Sequence, residues 1–131
     1  GMLVLFLLGY LIQGMAEELL YRSYLMVTIA RRYSMTVAVL ISAVVGALPY
    51  AAGAVEAPLA LLNGMLFGIF AALYLIRRGN IWGIGAFHAA WSFVRDIVFG
   101  TPDQLATAVL LLVGIILVGG KRPWGKAESC C

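Results

Sequence analysis

The chain has 131 residues, of which 63% are hydrophobic and 11% are charged, and its formal net charge is +3. Soluble domains carry about 25% charged residues, so this composition on a water-soluble fold would leave large apolar patches exposed. The sequence therefore predicts an integral membrane protein and excludes a disordered chain. A charge of +3 divided among short loops also excludes a nucleic-acid-binding surface.

Apolar runs that can cross about 30 Å of hydrocarbon predict an all-α bundle of about five transmembrane helices. The predicted spans cover residues 2–30, 35–52, 58–76, 81–99 and 104–118. Residues 1–120 then form a single transmembrane domain, and residues 121–131 form a short basic tail. The two cysteines, Cys130 and Cys131, are adjacent in that tail, so no disulfide framework is predicted.

Basic residues occur in alternate connections between the predicted spans. They are Arg31, Arg32, Arg77 and Arg78, with Lys121, Arg122 and Lys126 in the tail, whereas the other two loops carry Glu56 and Asp103. Cytoplasmic loops are enriched in lysine and arginine. The pattern predicts an N-terminus outside and a C-terminus in the cytoplasm, for a multi-pass protein of a cell membrane such as a bacterial inner membrane.

Three charged residues interrupt the first apolar segment: Glu17, Glu18 and Arg22. A charged side chain in the middle of a membrane helix costs about 2.5 to 3.5 kcal/mol on insertion scales, so such residues need partners and point to a functional site. Glu18 and Arg22 are one helical turn apart and can pair, whereas Glu17 points about 100° away. Glu17 is therefore predicted to be the carboxylate available for catalysis. A buried structural ion network and an ion pathway are the alternatives.

Helical rise places two more polar residues at the same depth. With about 1.5 Å per residue, Glu18 lies about 20 Å and Arg22 about 14 Å from the arginine end of their helix. His88, the single histidine, lies about 15 Å from that end on the fourth helix, and Asn63 lies about 21 Å from it on the third. These side chains can form one polar site, although a hydrogen-bonded packing role for His88 is the alternative.

Two weaker features complete the pattern. Gly64 and Gly68 form a pair of small residues at the spacing found in close helix contacts. Arg95 and Asp96, near the outer end of the fourth helix, are interpreted as an interfacial ion pair, with a substrate contact as the alternative.

The charged residues resemble a known motif. The segment GMAEELLYRSYL resembles the EExxxR helix of the CPBP family, which contains CAAX proteases and bacteriocin-processing enzymes also called Abi-type intramembrane glutamic endopeptidases. The segment NGMLFGIFAALYLIRRGNIWGIGAFHAAWSF resembles the part of that family that runs to its HxxxN-type motif. The resemblance covers residues 14–93.

The resemblance implies a glutamic protease that cleaves near the C-terminus of a prenylated or otherwise membrane-delivered substrate. Glu17 would be the general base, Glu18 and Arg22 its supporting pair, and His88 the oxyanion donor, with Ser92 at the position of the family's asparagine. The family's FxxxH motif has no histidine here, because the second helix ends VVGALPYAAG. Tyr50 is the residue there that can hold a water or donate a hydrogen bond.

Three functions follow as hypotheses. The first is an endopeptidase that uses Glu-activated water, with membrane lipid and a membrane-associated peptide or protein as partners. The second is a catalytically degenerate relative that binds a membrane peptide, as in bacteriocin immunity, because the second histidine is missing. The third is a proton-relay or transport module, which rests on buried ionisable groups alone. No metal or other cofactor is predicted, since His88 and Glu17 supply two ligands where catalytic zinc takes about three.

Overall fold

The structure is a computed structural model that describes residues 1–51, 57–98 and 104–120, and these residues are helical with short turns and no strands. The described residues form five helices. They are α1 (Met2–Ala30), α2 (Met35–Ala51), α3 (Ala57–Arg78), α4 (Ile81–Phe93, continued by Val94–Val98) and α5 (Gln104–Gly119). Their bounds agree with the predicted spans to within two residues. The predicted loops around Glu56 and Asp103 and the basic tail lie outside the described residues.

Local sequence signals set the turns at one end of the bundle. Before α2, the Ser34 hydroxyl oxygen accepts a hydrogen bond of 3.3 Å from the backbone N–H three residues on. Before α4, Asn80 Oδ1 accepts hydrogen bonds of 3.0 and 3.2 Å from the N–H groups of Trp82 and Gly83. Gly79 ends α3 at a φ of +64°, a left-handed conformation that favours glycine.

Two of the helices meet the length and composition expected of a membrane span. They are Met2–Ala30 and Pro58–Arg78, whereas Met35–Tyr50 and Leu105–Gly119 are apolar but shorter. Helix α2, with 17 residues, is about 25 Å long, somewhat less than the hydrocarbon thickness of about 30 Å. Many apolar side chains on α1, α2 and α5 face outward, as expected of helices surrounded by lipid.

The helices pack as two antiparallel pairs, α1 with α4 and α2 with α3, and α5 packs on the outer side of α3. The second half of α1 crosses to α2 and so joins the two pairs. One apolar cluster, centred on Met26, Ala38 and Ala72, brings together the end of α1, the start of α2 and the end of α3. The Arg77 guanidinium donates to the Gly119 carbonyl at the end of α5. Both arginine pairs therefore lie at the same end of the bundle.

Glycines set the closest helix contacts. A Cβ on Gly14 would lie 2.9 Å from the backbone nitrogen of Ala89, so α1 and α4 approach closely at this level. On α3, a Cβ on Gly68 would lie 2.8 Å from Ala43 Cα, and Gly64 faces Ala47 one turn away. Gly64 and Gly68, the pair expected to mark a helix contact, thus lie on the face of α3 that packs against α2.

We expect Gly14→Ala to lower the free energy of unfolding by about 1 to 3 kcal/mol, because the added methyl group meets backbone atoms that cannot rotate away. Gly9→Ala is the matched control on the same helix, since nothing lies within 4 Å of a Cβ there. That control should be neutral or slightly stabilising, as alanine favours helix. Reversible unfolding in mixed micelles, followed by circular dichroism, measures both. Equal effects at the two positions would contradict the close approach.

Candidate active site

Helix α1 changes its winding where its charged residues occur. It is α-helical over Met2–Glu18, π-helical over Leu19–Met26, and α-helical again over Val27–Ala30. Wide π-helical turns rotate the following side chains relative to an α-helix and are frequent at functional sites. The two glutamates thus stand at the end of a regular helix, and Arg22 stands inside the wider segment.

Among the described residues, Glu18 is the most deeply buried charged group, with no exposed surface, and it contacts His88 and Arg22. Its Oε1 lies 2.8 Å from His88 Nδ1, and its Oε2 lies 3.3 Å from Arg22 Nε. The predicted ion pair between Glu18 and Arg22 is therefore present in the structure. The pair is placed to orient His88, whereas the resemblance implied that it would support Glu17.

Two glycines make room for the Arg22 guanidinium between α2 and α3. A Cβ on Gly68 would lie 3.2 Å from Nη2, and a Cβ on Gly46 would lie 3.5 Å from Nη1. The guanidinium carbon also lies 5.8 Å from the centroid of the Tyr21 ring, within the range of a cation–π contact. Arg22 is 3% exposed, so these contacts replace water around the buried charge.

Glu17 lies on the more open side of the same cluster, and its side chain is 24% exposed. Its Oε2 accepts a hydrogen bond of 3.2 Å from the Tyr50 hydroxyl and lies 3.6 Å from His88 Nε2. Its Oε1 accepts a bond of 2.9 Å from Gln13 Nε2, one turn earlier on α1. Glu17 is therefore held by two neutral donors, Gln13 and Tyr50, beside the imidazole of His88.

The Tyr50 hydroxyl connects Glu17 with His88, since its oxygen lies 3.2 Å from His88 Nε2. A hydroxyl has one hydrogen to donate, and here Glu17 accepts it. The contact with Nε2 is then a hydrogen bond only when Nε2 carries a hydrogen. Nδ1 faces the Glu18 carboxylate, which accepts when ionised. Both ring nitrogens of His88 therefore face oxygen atoms, Nδ1 that of Glu18 and Nε2 those of Tyr50 and Glu17.

Burial makes the pairing of Glu18 with Arg22 important for stability, because an unpaired charge in a buried site costs several kcal/mol. The ring of Phe67 packs against the imidazole with centroids 4.5 Å apart and excludes water from that side.

Ser92 and Asn63, the other predicted site residues, are both buried, at 8% and 9% exposure. Ser92 lies one helical turn beyond His88 on α4, and the hydrogen bonds described above do not include its hydroxyl. Asn63 precedes Gly64, whose position faces the Tyr50 ring, so this turn of α3 lies beside the cluster. The structure joins five of the predicted site residues in one network of contacts, namely Glu17, Glu18, Arg22, Tyr50 and His88.

Gln13 is a site residue that the sequence analysis missed. Its signal was available, because it precedes Glu17 by four residues and so shares its helix face. Within the described residues, no group of three or more His, Cys, Asp or Glu side chains is arranged to hold a metal ion.

A comparison with models of protein families shows which family the chain resembles. A family model described as "Type II CAAX prenyl endopeptidase Rce1-like" matches residues 1–94, which include all of α1 to α3 and most of α4. The chain belongs to this Rce1-like family. No curated protein and no solved structure matches the chain. The match includes every residue of the cluster, and the resemblance to CPBP-type membrane proteases drawn from the motifs is confirmed.

Proposed function

We propose that this Rce1-like chain is an intramembrane endopeptidase that hydrolyses a peptide bond of a membrane-delivered, CAAX-type substrate by Glu-activated water. The observation that carries the proposal is the contact network from Arg22 through Glu18 and His88 to Tyr50 and Glu17. It leaves one carboxylate partly exposed beside two hydrogen-bond donors. The family name supplies the substrate class, a membrane-associated peptide that carries a CAAX sequence.

Glu17 is the general base in this proposal. Its carboxylate accepts a proton from water while the water oxygen bonds to the peptide carbonyl carbon, and the carbonyl oxygen takes the displaced electron pair. The same carboxyl group then returns the proton to the amide nitrogen as the C–N bond breaks, which releases an amine and a carboxylic acid. Positioned acid–base groups of this kind contribute about 10²- to 10⁴-fold to a rate.

Tyr50 and His88 supply the donors for the oxyanion. The Tyr50 hydroxyl and a hydrogen on His88 Nε2 lie in the same space beside Glu17. When a substrate carbonyl enters, the Tyr50 hydroxyl turns its single hydrogen from Glu17 to the carbonyl oxygen, which then accepts from both groups. Glu18 fixes the ring through Nδ1, and Arg22 compensates the charge of Glu18. Donors that are already oriented before reaction stabilise a developing oxyanion strongly in a water-poor site.

The proposal includes a membrane arrangement with five crossings. Alternating helix directions and the placement of both arginine pairs at one end of the bundle support it, since cytoplasmic ends are rich in arginine. We propose that this end faces the cytoplasm, in a bacterial inner membrane, with the N-terminus outside.

A cleavage assay tests the function directly. The purified protein in liposomes is incubated with a farnesylated, quenched CAAX peptide, and the products are identified by mass spectrometry. We expect one internal cleavage near the C-terminus that depends on Glu17. Binding of the peptide by a folded protein without any turnover would instead support a degenerate, peptide-binding relative.

Tyr50 gives a second, sharper test. We expect Tyr50→Phe to lower kcat by about 10- to 10³-fold, because one oxyanion donor is lost while the ring packing stays. Tyr24→Phe is the matched control, since that tyrosine is 68% exposed on α1 and lies outside the cluster. Tyr50→His places an imidazole in this part of α2, as in the family's FxxxH motif, and should retain activity well above that of Tyr50→Phe. A Tyr50→Phe variant as active as the parent would remove Tyr50 from the mechanism.

A further inference from the structure

A second charged group lies next to the cluster, on the last turns of α4. Arg95 and Asp96 form an ion pair in which Nε–H donates to Oδ1 at 2.6 Å and Nη2–H to Oδ2 at 3.1 Å. Their side chains are 28% and 36% exposed, far more than the 3% of Arg22. The sequence predicted an interfacial ion pair, and the two residues are indeed paired. Their position next to Tyr50 of the candidate active site was not expected.

Arg95 is in contact with the proposed active site through Tyr50. Its guanidinium carbon lies 5.7 Å from the centroid of the Tyr50 ring, whose hydroxyl donates to Glu17. Asp96 is held from the other side by a 3.1 Å hydrogen bond from the Tyr10 hydroxyl on α1. The partly exposed Arg95 guanidinium is thus held in place by Asp96, and the Tyr50 ring lies between it and Glu17, the proposed general base.

The geometry leaves part of the guanidinium for a ligand. Asp96 occupies the edge formed by Nε and Nη2, and a guanidinium has five N–H donors in a planar fork. The edge that carries Nη1 is not used by Asp96. Such an edge binds carboxylates in a bidentate manner, which gives both affinity and orientation.

We propose that Arg95 binds the free α-carboxylate at the C-terminus of the substrate. The inference rests on the proposed function and deepens it, because it names the feature that selects a bond close to a chain end. An extended residue spans about 3.3 to 3.6 Å, so two or three residues beyond the scissile carbonyl reach about 7 to 10 Å. Arg95 Cζ lies 5.7 Å from the centroid of the Tyr50 ring, whose hydroxyl contacts Glu17, so a segment of this length suffices to connect the cleaved bond with Arg95.

Peptide binding tests the inference without requiring turnover. A fluorescent farnesylated CAAX peptide is prepared with either a free C-terminal acid or a C-terminal amide, and its Kd is measured by anisotropy in micelles with the Glu17→Gln protein. We expect the acid to bind about 10- to 100-fold more tightly than the amide, since a charge-assisted contact is lost in the amide. Adding Arg95→Gln should reduce this ratio to about 1 and leave amide binding within about twofold.

Arg32→Gln is the matched control, because it removes an exposed arginine at the opposite end of the bundle. It should leave the acid-to-amide ratio unchanged. Equal affinities for acid and amide in the Arg95-containing protein, or equal loss of both in Arg95→Gln, would overturn the inference. Turnover is measured separately, so the two proposals can fail independently. Cleavage without a difference between acid and amide would support the protease function and contradict carboxylate binding by Arg95. A difference between acid and amide without cleavage would support carboxylate binding and contradict the protease function.

Discussion

We expect Glu17→Gln to lower kcat for the CAAX peptide by about 10²- to 10⁴-fold while the protein stays folded. Glutamine has nearly the same shape as glutamate, and its amide oxygen can still accept the hydrogen bond from Tyr50. It cannot accept a proton from water. The loss is therefore specific to the chemical step, and KM should change little, because the binding surface is unaltered.

Glu17→Asp is the informative companion variant. It keeps a carboxylate but shortens the side chain by one methylene group, which moves the base away from the donors of Tyr50 and His88. Activity between that of the parent and that of Glu17→Gln is the expected result, since misplacement of a base lowers its efficiency without abolishing it. Circular dichroism and unfolding in micelles verify that all three proteins fold alike.

Retention of most of the activity in Glu17→Gln would contradict the assignment of Glu17 as base. Glu18 would then be the remaining carboxylate of the cluster, although it is completely buried and already contacts both Arg22 and His88. A complete absence of turnover in the parent, with peptide binding intact, would leave these residues as an inherited ion network in a binding protein.

Much of the architecture could be predicted from the sequence because its signals are local. Long apolar runs gave the helices, and Ser34 and Asn80 mark the turns through their preference for capping positions. The ion pair between Glu18 and Arg22 follows from one-turn spacing. Gly64 and Gly68 indicated a close helix contact, although the sequence could not say that the partner is α2.

The arrangement of the site could be predicted only in part, because its contacts join distant segments. Equal depth brought His88 near Glu18, but depth alone does not say which ring nitrogen faces which carboxylate. The π-helical segment after Glu18 changes the direction of later side chains, and no composition signal marks it. The position of Tyr50 between Glu17 and His88 depends on how α2 crosses α1, which is set by tertiary packing.

The contacts of Glu18 differ from what the family resemblance implied. The resemblance implied that Glu18 and Arg22 would support their neighbour Glu17, whereas spacing within α1 indicated only that the two residues pair with each other. In the structure, Glu18 contacts His88 on α4 and Glu17 contacts Tyr50 on α2, while the Arg22 guanidinium lies between α2 and α3. A one-dimensional motif gives the residues of a site but not the direction in which each points.

We expect Arg22→Met to be the most destabilising single substitution in the cluster, with a loss of about 3 to 5 kcal/mol in the free energy of unfolding. Methionine fills similar space between Gly46 and Gly68 but carries no charge. Glu18 would then be a buried carboxylate that retains only the contact with His88. Reversible unfolding in mixed micelles measures this loss. In cells, we expect a much lower yield of folded protein.

Two further variants separate charge from packing. Arg32→Met removes an exposed arginine near the end of the same helix and should change stability by no more than about 0.5 kcal/mol. The double variant Arg22→Met with Glu18→Gln removes both buried charges and keeps an amide oxygen that can accept from His88 Nδ1. It should recover much of the stability lost in Arg22→Met, because no uncompensated charge remains.

Activity should not recover together with stability in the double variant. A glutamine amide can donate to His88 Nδ1 as well as accept from it, so the orientation of the ring and of its Nε2 donor would no longer be fixed even in a well-folded protein. Recovered stability with kcat still lowered by 10-fold or more would show that Glu18 acts through His88 as well as through packing. If Arg22→Met lowers the free energy of unfolding by less than about 1 kcal/mol, the buried ion pair contributes little to the stability of the fold. Gly46 and Gly68 would then serve the close packing of α2 and α3 and not the accommodation of Arg22.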